Sequence, residues 1–178
     1  MRVDSVHRDS EHRFSKPPAD QIRLLEGIGV EGDSHAGETV QHRHLVRKDP
    51  TAPNLRQVHL IQREVLVELA AKGYEVAPGE LGENVTTDGL DLFALPTGAE
   101  LHLGDTAIVT VTGLRDPCSQ INGLQKGLLK QLLGKADDGT IVRRVGIMSV
   151  VSAGGVVRPG DNLTVVLPPE PHEPLGLV

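Results

Sequence analysis

The stretch Leu101-His102-Leu103-Gly104-Asp105-Thr106-Ala107-Ile108-Val109-Thr110-Val111-Thr112 decides the architecture. A short apolar run meets a Gly-Asp turn, and a β-branched run follows. That is the pattern of a β-hairpin, with glycine permitting the turn. Val156 to Leu167 repeats the pattern around Gly160-Asp161. Working outward, Gln57–Ile61 and Ile141–Val151 also read as strands, as does Ile22–Val30, with a weaker strand at Val40–Val46. Two segments carry helical spacing. Residues 62–72 place Val65, Leu66, Leu69 and Ala70 on one face and stop at Gly73. Ser119–Leu133 carries Ile121, Leu124, Leu128, Leu129, Leu132 and Leu133, weakened by Gly123 and Gly127. Strands outnumber helices and do not alternate with them in regular βαβ units. The chain therefore reads as mainly β, a closed or partly closed barrel with a few short helices. An open α+β sheet is the competing architecture.

The 178 residues suit one domain. Residues 1–20 read as an N-terminal arm, 21–167 as the domain, and 168–178 as a loosely held, Pro-rich acidic tail. With two Phe, one Tyr and no Trp, the core must be aliphatic, and aromatic platforms for base stacking are scarce. The net charge of −6 argues against nucleic acid as a partner but leaves room for a small anion in a locally basic pocket. No stretch approaches the roughly 18 apolar residues of a membrane helix, and the polar N-terminus lacks a signal-peptide core. The expected compartment is the cytoplasm.

The single cysteine, Cys118, follows Thr112-Gly113-Leu114-Arg115-Asp116-Pro117. One reading makes it a small buried plug at a strand–helix joint. The other places its thiol at a helix N-terminus, where unpaired N–H groups and Arg115 favour thiolate, the nucleophilic and metal-binding form. His35 sits in the glycine-rich run Gly32-Asp33-Ser34-His35-Ala36-Gly37, which suits either an anion nest or a plain tight turn. His42 and His44 share one face if their segment is a strand, but zinc would need further ligands. Gly79-Glu80-Leu81-Gly82-Glu83-Asn84-Val85-Thr86-Thr87 offers Glu80 and Glu83 as an acid and a base, or a turn satisfied by Asn84 and Thr86. His59 reads as a packed histidine. Lys16 and Lys126 are cations suited to a phosphate. Ala77–Gly98 reads as one long loop of the functional kind.

The sequence resembles the MOSC family, named after the C-terminal domain of molybdenum-cofactor sulfurase. The resemblance is carried, in order, by the segments 29–37, Val58-His59-Leu60-Ile61, 79–86, Gly89-Leu90-Asp91-Leu92, Leu95-Pro96-Thr97-Gly98, 101–118 ending in Arg115-Asp116-Pro117-Cys118, and Val156–Asp161. It implies a β-barrel fold. It also implies that Cys118 is the functional thiol, either ligating molybdenum of a bound pterin cofactor or carrying sulfur as a persulfide. The short form is similar to stand-alone members that reduce small N-hydroxylated compounds. Such a protein would draw electrons from a separate reductase. A sulfur carrier would instead draw on a cysteine desulfurase, and a non-catalytic ligand-binding barrel is the third reading. The placement of Arg115, His35, Lys16, Asn84 and Thr86 in or beside these segments makes them the expected lining of the pocket's anionic end.

Overall fold

The computed structural model describes residues 1–135 and 139–178. Thirteen strands are present among them: β1 (Arg2–His7), β2 (Pro18–Ala19), β3 (Ile22–Leu25), β4 (Gly29–Val30), β5 (Val58–Gln62), β6 (Val85–Asp88), β7 (Glu100–Leu103), β8 (Ala107–Leu114), β9 (Leu133–Lys135), β10 (Ile141–Arg143), β11 (Ile147–Ala153), β12 (Gly155–Val157) and β13 (Leu163–Val166). The helices are short: α1 (Arg43–Lys48), α2 (Arg63–Ala71), α3 (Ile121–Leu124) and α4 (Leu128–Gln131), with a 3-10 turn at Leu92–Ala94. The chain is thus mainly β with few helices.

The principal sheet runs β13-β7-β8-β11-β5-β6-β1-β2, and a smaller one runs β12-β3-β4. The β5–β6 pair is parallel, joined through α2; the other pairs in these sheets are antiparallel. The expected closed barrel is not a continuous ladder among the described residues. The sheet's ends nevertheless approach each other. Val3 N donates to Asp161 O (2.9 Å), Gly160 N to Val3 O (2.8 Å) and Leu163 N to Met1 O (3.2 Å).

Burial follows the pleat. In β8, Ala107, Val109, Val111 and Gly113 face inward while the residues between them are half-buried. β5 is buried on both faces, so His59 and Gln62 are covered along with Val58, Leu60 and Ile61. Leu60 joins the aliphatic core between the sheets, and Ile61 joins a second cluster with Val65, Leu69, Ile121, Leu128 and Leu132 beneath the helices.

Several expected elements differ. Leu101–Thr112 is a hairpin, β7–β8. Val156–Leu167 is not: β12 pairs with β3 and β13 with β7, because Arg158-Pro159-Gly160-Asp161 turns the chain from one sheet to the other. Ile22–Val30 splits at Gly27 (φ 68°), and Ile141–Val151 at Gly146 (φ 93°). The Val40–Val46 segment contains α1 instead of a strand. The loop 77–98 contains β6, whose Val85, Thr86 and Thr87 are fully buried. The first twenty residues are not an arm, because β1 pairs with β6 and buries Val3 and Val6 completely. The tail is pinned: Thr97 N donates to Glu173 O (2.9 Å) and Leu114 N to Gly176 O (2.7 Å). No helix of the described residues is long and apolar enough to cross a membrane.

Candidate functional site

Cys118 lies on the wall of a cavity of about 390 Å³, within the range of about 300–1,000 Å³ usual for small-molecule sites. Six basic side chains line it: Arg13, Lys16, Arg43, Arg47, Arg56 and Arg115. One carboxylate, Asp116, opposes them. In a chain of net charge −6, this concentration of cations gives the cavity a locally positive lining.

The floor is organised by Asp33. Its Oδ2 accepts from Lys16 Nζ at 2.7 Å, Asn84 Nδ2 at 2.9 Å and the Asp9 amide at 3.3 Å. Its Oδ1 accepts from the His35 amide at 2.9 Å and faces His35 Nδ1 at 3.2 Å. Burial alone would raise this carboxyl, but the bonds from His35 and Lys16 hold it well below the usual carboxylate range. The Lys16 and Asp33 side chains are only 3% and 2% exposed. Burial pulls the Lys16 ammonium down, against the pull of Asp33. This set of contacts gathers three expected site residues, Lys16, His35 and Asn84, onto one wall.

Arg115 leaves the end of β8, with its amide donating to Gly146 O at 3.1 Å. Its guanidinium carbon stands 5.6 Å from the centre of the Phe14 ring, a cation–π contact. Its Nη1 is sealed from solvent and has no hydrogen-bond partner among the described residues. Burial lowers the guanidinium from the usual arginine range, while Cys118 and Glu83 pull it back up. An unsatisfied buried cationic donor is costly and calls for an anionic partner.

Cys118 is half-buried, and its thiol makes one weak contact, to Gln120 Oε1 at 3.7 Å. The long helix expected after it is absent. α3 and α4 have four residues each, and the chain breaks at Gly127, which takes the left-handed conformation (φ 86°). The helix-dipole argument for Cys118 therefore fails, because so short a helix carries little macrodipole. Basic side chains from distant segments line the cavity beside it.

His12, His35, His42 and His44 also line the cavity. Ring centres are 5.4 Å apart for His12–His35, 4.5 Å for His35–His42 and 6.2 Å for His42–His44. Burial and the neighbouring cations lower His42 to about 3, so it is neutral at physiological pH. Among the described residues no group of three His, Cys, Asp or Glu side chains converges on a metal position. His42 and His44 thus acquire no further ligands. His59 is packed as expected, Nε2 donating to Val145 O at 2.8 Å, and it also lines the cavity.

Other expected residues lie elsewhere. Thr86 is fully buried outside the cavity wall and donates to Glu83 Oε1 at 3.2 Å. Glu83 is fully buried as well, and burial raises its carboxyl. Glu80 accepts from the Ala77 amide at 2.8 Å, closing its own turn. Lys126 is exposed and away from the cavity. Asp33, Arg13, Arg43, Arg47 and Arg56 were not foreseen. For the four arginines the signal was the density of basic residues in segments 12–16 and 43–56, which alone reads as solvated surface; Asp33 had no such signal.

The sequence matches the MOSC domain over residues 34–164, most of the chain. This chain belongs to the MOSC domain family. YuaD from Bacillus subtilis is similar in structure, with a TM-score of 0.75 and 25% identity over 92% of this chain and 93% of that one. YiiM from Escherichia coli aligns with a TM-score of 0.62 and 23% identity, over 97% of this chain and 73% of that one; at that identity the likeness speaks for the fold alone. No curated protein matches the sequence. The MOSC match spans the Asp33-adjacent loop, both sides of the cavity and Cys118, while Arg13, Phe14 and Lys16 precede it.

Proposed function

We propose that this MOSC protein binds molybdenum cofactor through Cys118 and reduces small N-hydroxylated compounds with electrons from a separate reductase. The observation that carries the reading is a half-buried thiol on the wall of a cavity with six bases and one acid. A pterin cofactor of this family carries a phosphate, and Arg115 supplies a sealed, unpartnered donor for such a group. Lys16, Asn84 and His35, gathered by Asp33, line the same cavity. Soft thiolate suits a metal that prefers sulfur.

When bound, the molybdenum centre supplies two-electron oxidation–reduction. The overall change takes two electrons and two protons, converting N–OH to N–H and releasing water. The chain's share is to hold the anionic end at Arg115, orient the metal through Cys118 Sγ, and deliver protons. We assign delivery to His35, whose Nδ1 is steadied by Asp33 at 3.2 Å.

The test is reduction of an N-hydroxylated amidine by the cofactor-loaded chain, with reduced viologen as donor. Cys118→Ser is expected to lower the rate by more than the roughly 10–100-fold typical of losing a metal's outer partner. An unchanged rate overturns the reading. In that case, a persulfide mass increment on Cys118 would favour the sulfur-carrier alternative.

A further inference from the structure

Residues 38–54 form a loop closed at its base. Asn54 N donates to Glu38 O at 2.9 Å and Val40 N to Ala52 O at 3.0 Å, and Thr39 bridges Pro53. Asn54 is buried, and its Nδ2 donates to His35 O and Gly37 O, both at 3.0 Å. The base is thus tied to the segment that carries Asp33 and His35. Within the loop, α1 holds Arg43, His44, Arg47 and Lys48 in six residues, with no acid and no buried residue. His42, at its start, gives no side-chain cap. So short a helix gains little from its own hydrogen bonds. Arg43 and Arg47, four positions apart, share one face and repel each other. Neither burial nor local charge pairing within α1 accounts for this pair.

The six cations of the cavity divide by their partners. Arg13 meets Asp9 through Nε at 2.6 Å and Nη2 at 2.9 Å, and Lys16 meets Asp33 at 2.7 Å. Arg56 and Arg115 are drawn to Asp116, the cavity's one carboxylate, and Arg115 also to Glu83. Arg43 and Arg47 line the same cavity, are exposed, and make no hydrogen bond or ion pair among the described residues. The lining therefore offers two kinds of cation. Arg115, with Nη1 sealed, suits a group that stays. The exposed pair suits one that enters and leaves at each turnover. Guanidinium groups meet a carboxylate or phosphate with charge-assisted bonds of matching geometry.

We propose that Arg43 and Arg47 clamp a carboxylate or phosphate carried by the substrate itself, so that the N-hydroxylated compounds this chain prefers are anions. The proposal rests on reading the cavity as the reductase site and names the substrate class for it.

The test compares reduction of 4-carboxy-N-hydroxybenzamidine, an anion, with that of its neutral methyl ester. Wild type is expected to favour the anion in kcat/KM. Arg43→Gln/Arg47→Gln, two exposed changes that keep good helix formers, is expected to cut that preference about tenfold, the scale of two partly exposed charge pairs. The ester's kcat/KM and the molybdenum content are expected to stay unchanged. Lys48→Gln removes a charge from the same helix on a side chain outside the cavity wall and is expected to leave the preference intact. No preference in wild type, or an equal fall for both compounds, would overturn the proposal. So would loss of molybdenum from the double variant, which would assign the pair to a second phosphate of the cofactor. A second readout needs no cofactor: alkylation of Cys118 in the metal-free chain by iodoacetate, an anion, against neutral iodoacetamide. Both form the same S–C bond and release iodide. The double variant is expected to lower the rate ratio about threefold, and Lys48→Gln to leave it unchanged. If neither amidine is reduced, the molybdenum reading fails, and this ratio still judges the clamp. A ratio untouched by the double variant, or lowered equally by Lys48→Gln, would overturn it.

Discussion

Asp33→Ala is expected to destabilise the chain by about 3–5 kcal/mol, the cost of removing one partner from a buried ion pair. The carboxylate is the shared acceptor for Lys16, Asn84, the His35 amide and the Asp9 amide. Without it, the Lys16 ammonium remains with a side chain only 3% exposed. Urea unfolding measures the loss. The double variant Asp33→Ala/Lys16→Met is expected to be more stable than Asp33→Ala, since an apolar pair leaves no stranded charge. A single-variant loss below about 1 kcal/mol would show that Asp33 does not organise the floor. The sign with pH follows from the depressed carboxyl. The unfolded chain binds the proton first as pH falls, so Asp33's contribution is complete well above pH 4 and declines below it. Asp33→Ala is expected to lack that component of acid sensitivity.

Gly146→Ala is expected to cost about 3 kcal/mol, combining overpacking with a disfavoured backbone. Gly146 has φ 93°, and a Cβ would clash with Leu60 O and lie 2.6 Å from His59 Nε2. The same residue's carbonyl accepts from the Arg115 amide at 3.1 Å. The substitution would therefore displace His59 on one side and Arg115 on the other, coupling a fold defect to the cavity. Thermal unfolding reads the first effect, and binding of inorganic pyrophosphate by calorimetry reads the second. A variant with wild-type stability and affinity would show that this junction relaxes freely.

Legibility in the sequence varied with the range of the interaction. The β7–β8 hairpin was readable because its signal lies within twelve consecutive residues and faces one core. The α2 helix was readable from Val65, Leu66 and Leu69 on one face. β1 and β6 were missed because their polar residues, such as Ser5, Thr86 and Thr87, are satisfied or covered only once the strands pair across the fold. Cys118 and Arg115 stand in one continuous motif, and both reach the cavity. Asp33 acts through partners 17 and 51 positions away, a relation that no local pattern carries. Arg43 and Arg47 read as an exposed basic run until α1 sets them on the cavity wall. The break at Gly127 removed the helix on which the sequence argument for Cys118 relied, and basic side chains from distant segments supply the positive environment.

Molybdenum per chain is the most direct measurement. Wild type and Cys118→Ala would be expressed in a host that makes the cofactor, purified identically and analysed for metal and pterin. The account predicts near-stoichiometric molybdenum in wild type and its loss in Cys118→Ala, with the fold unchanged by circular dichroism. Metal absent from wild type, or retained equally by the variant, would contradict it.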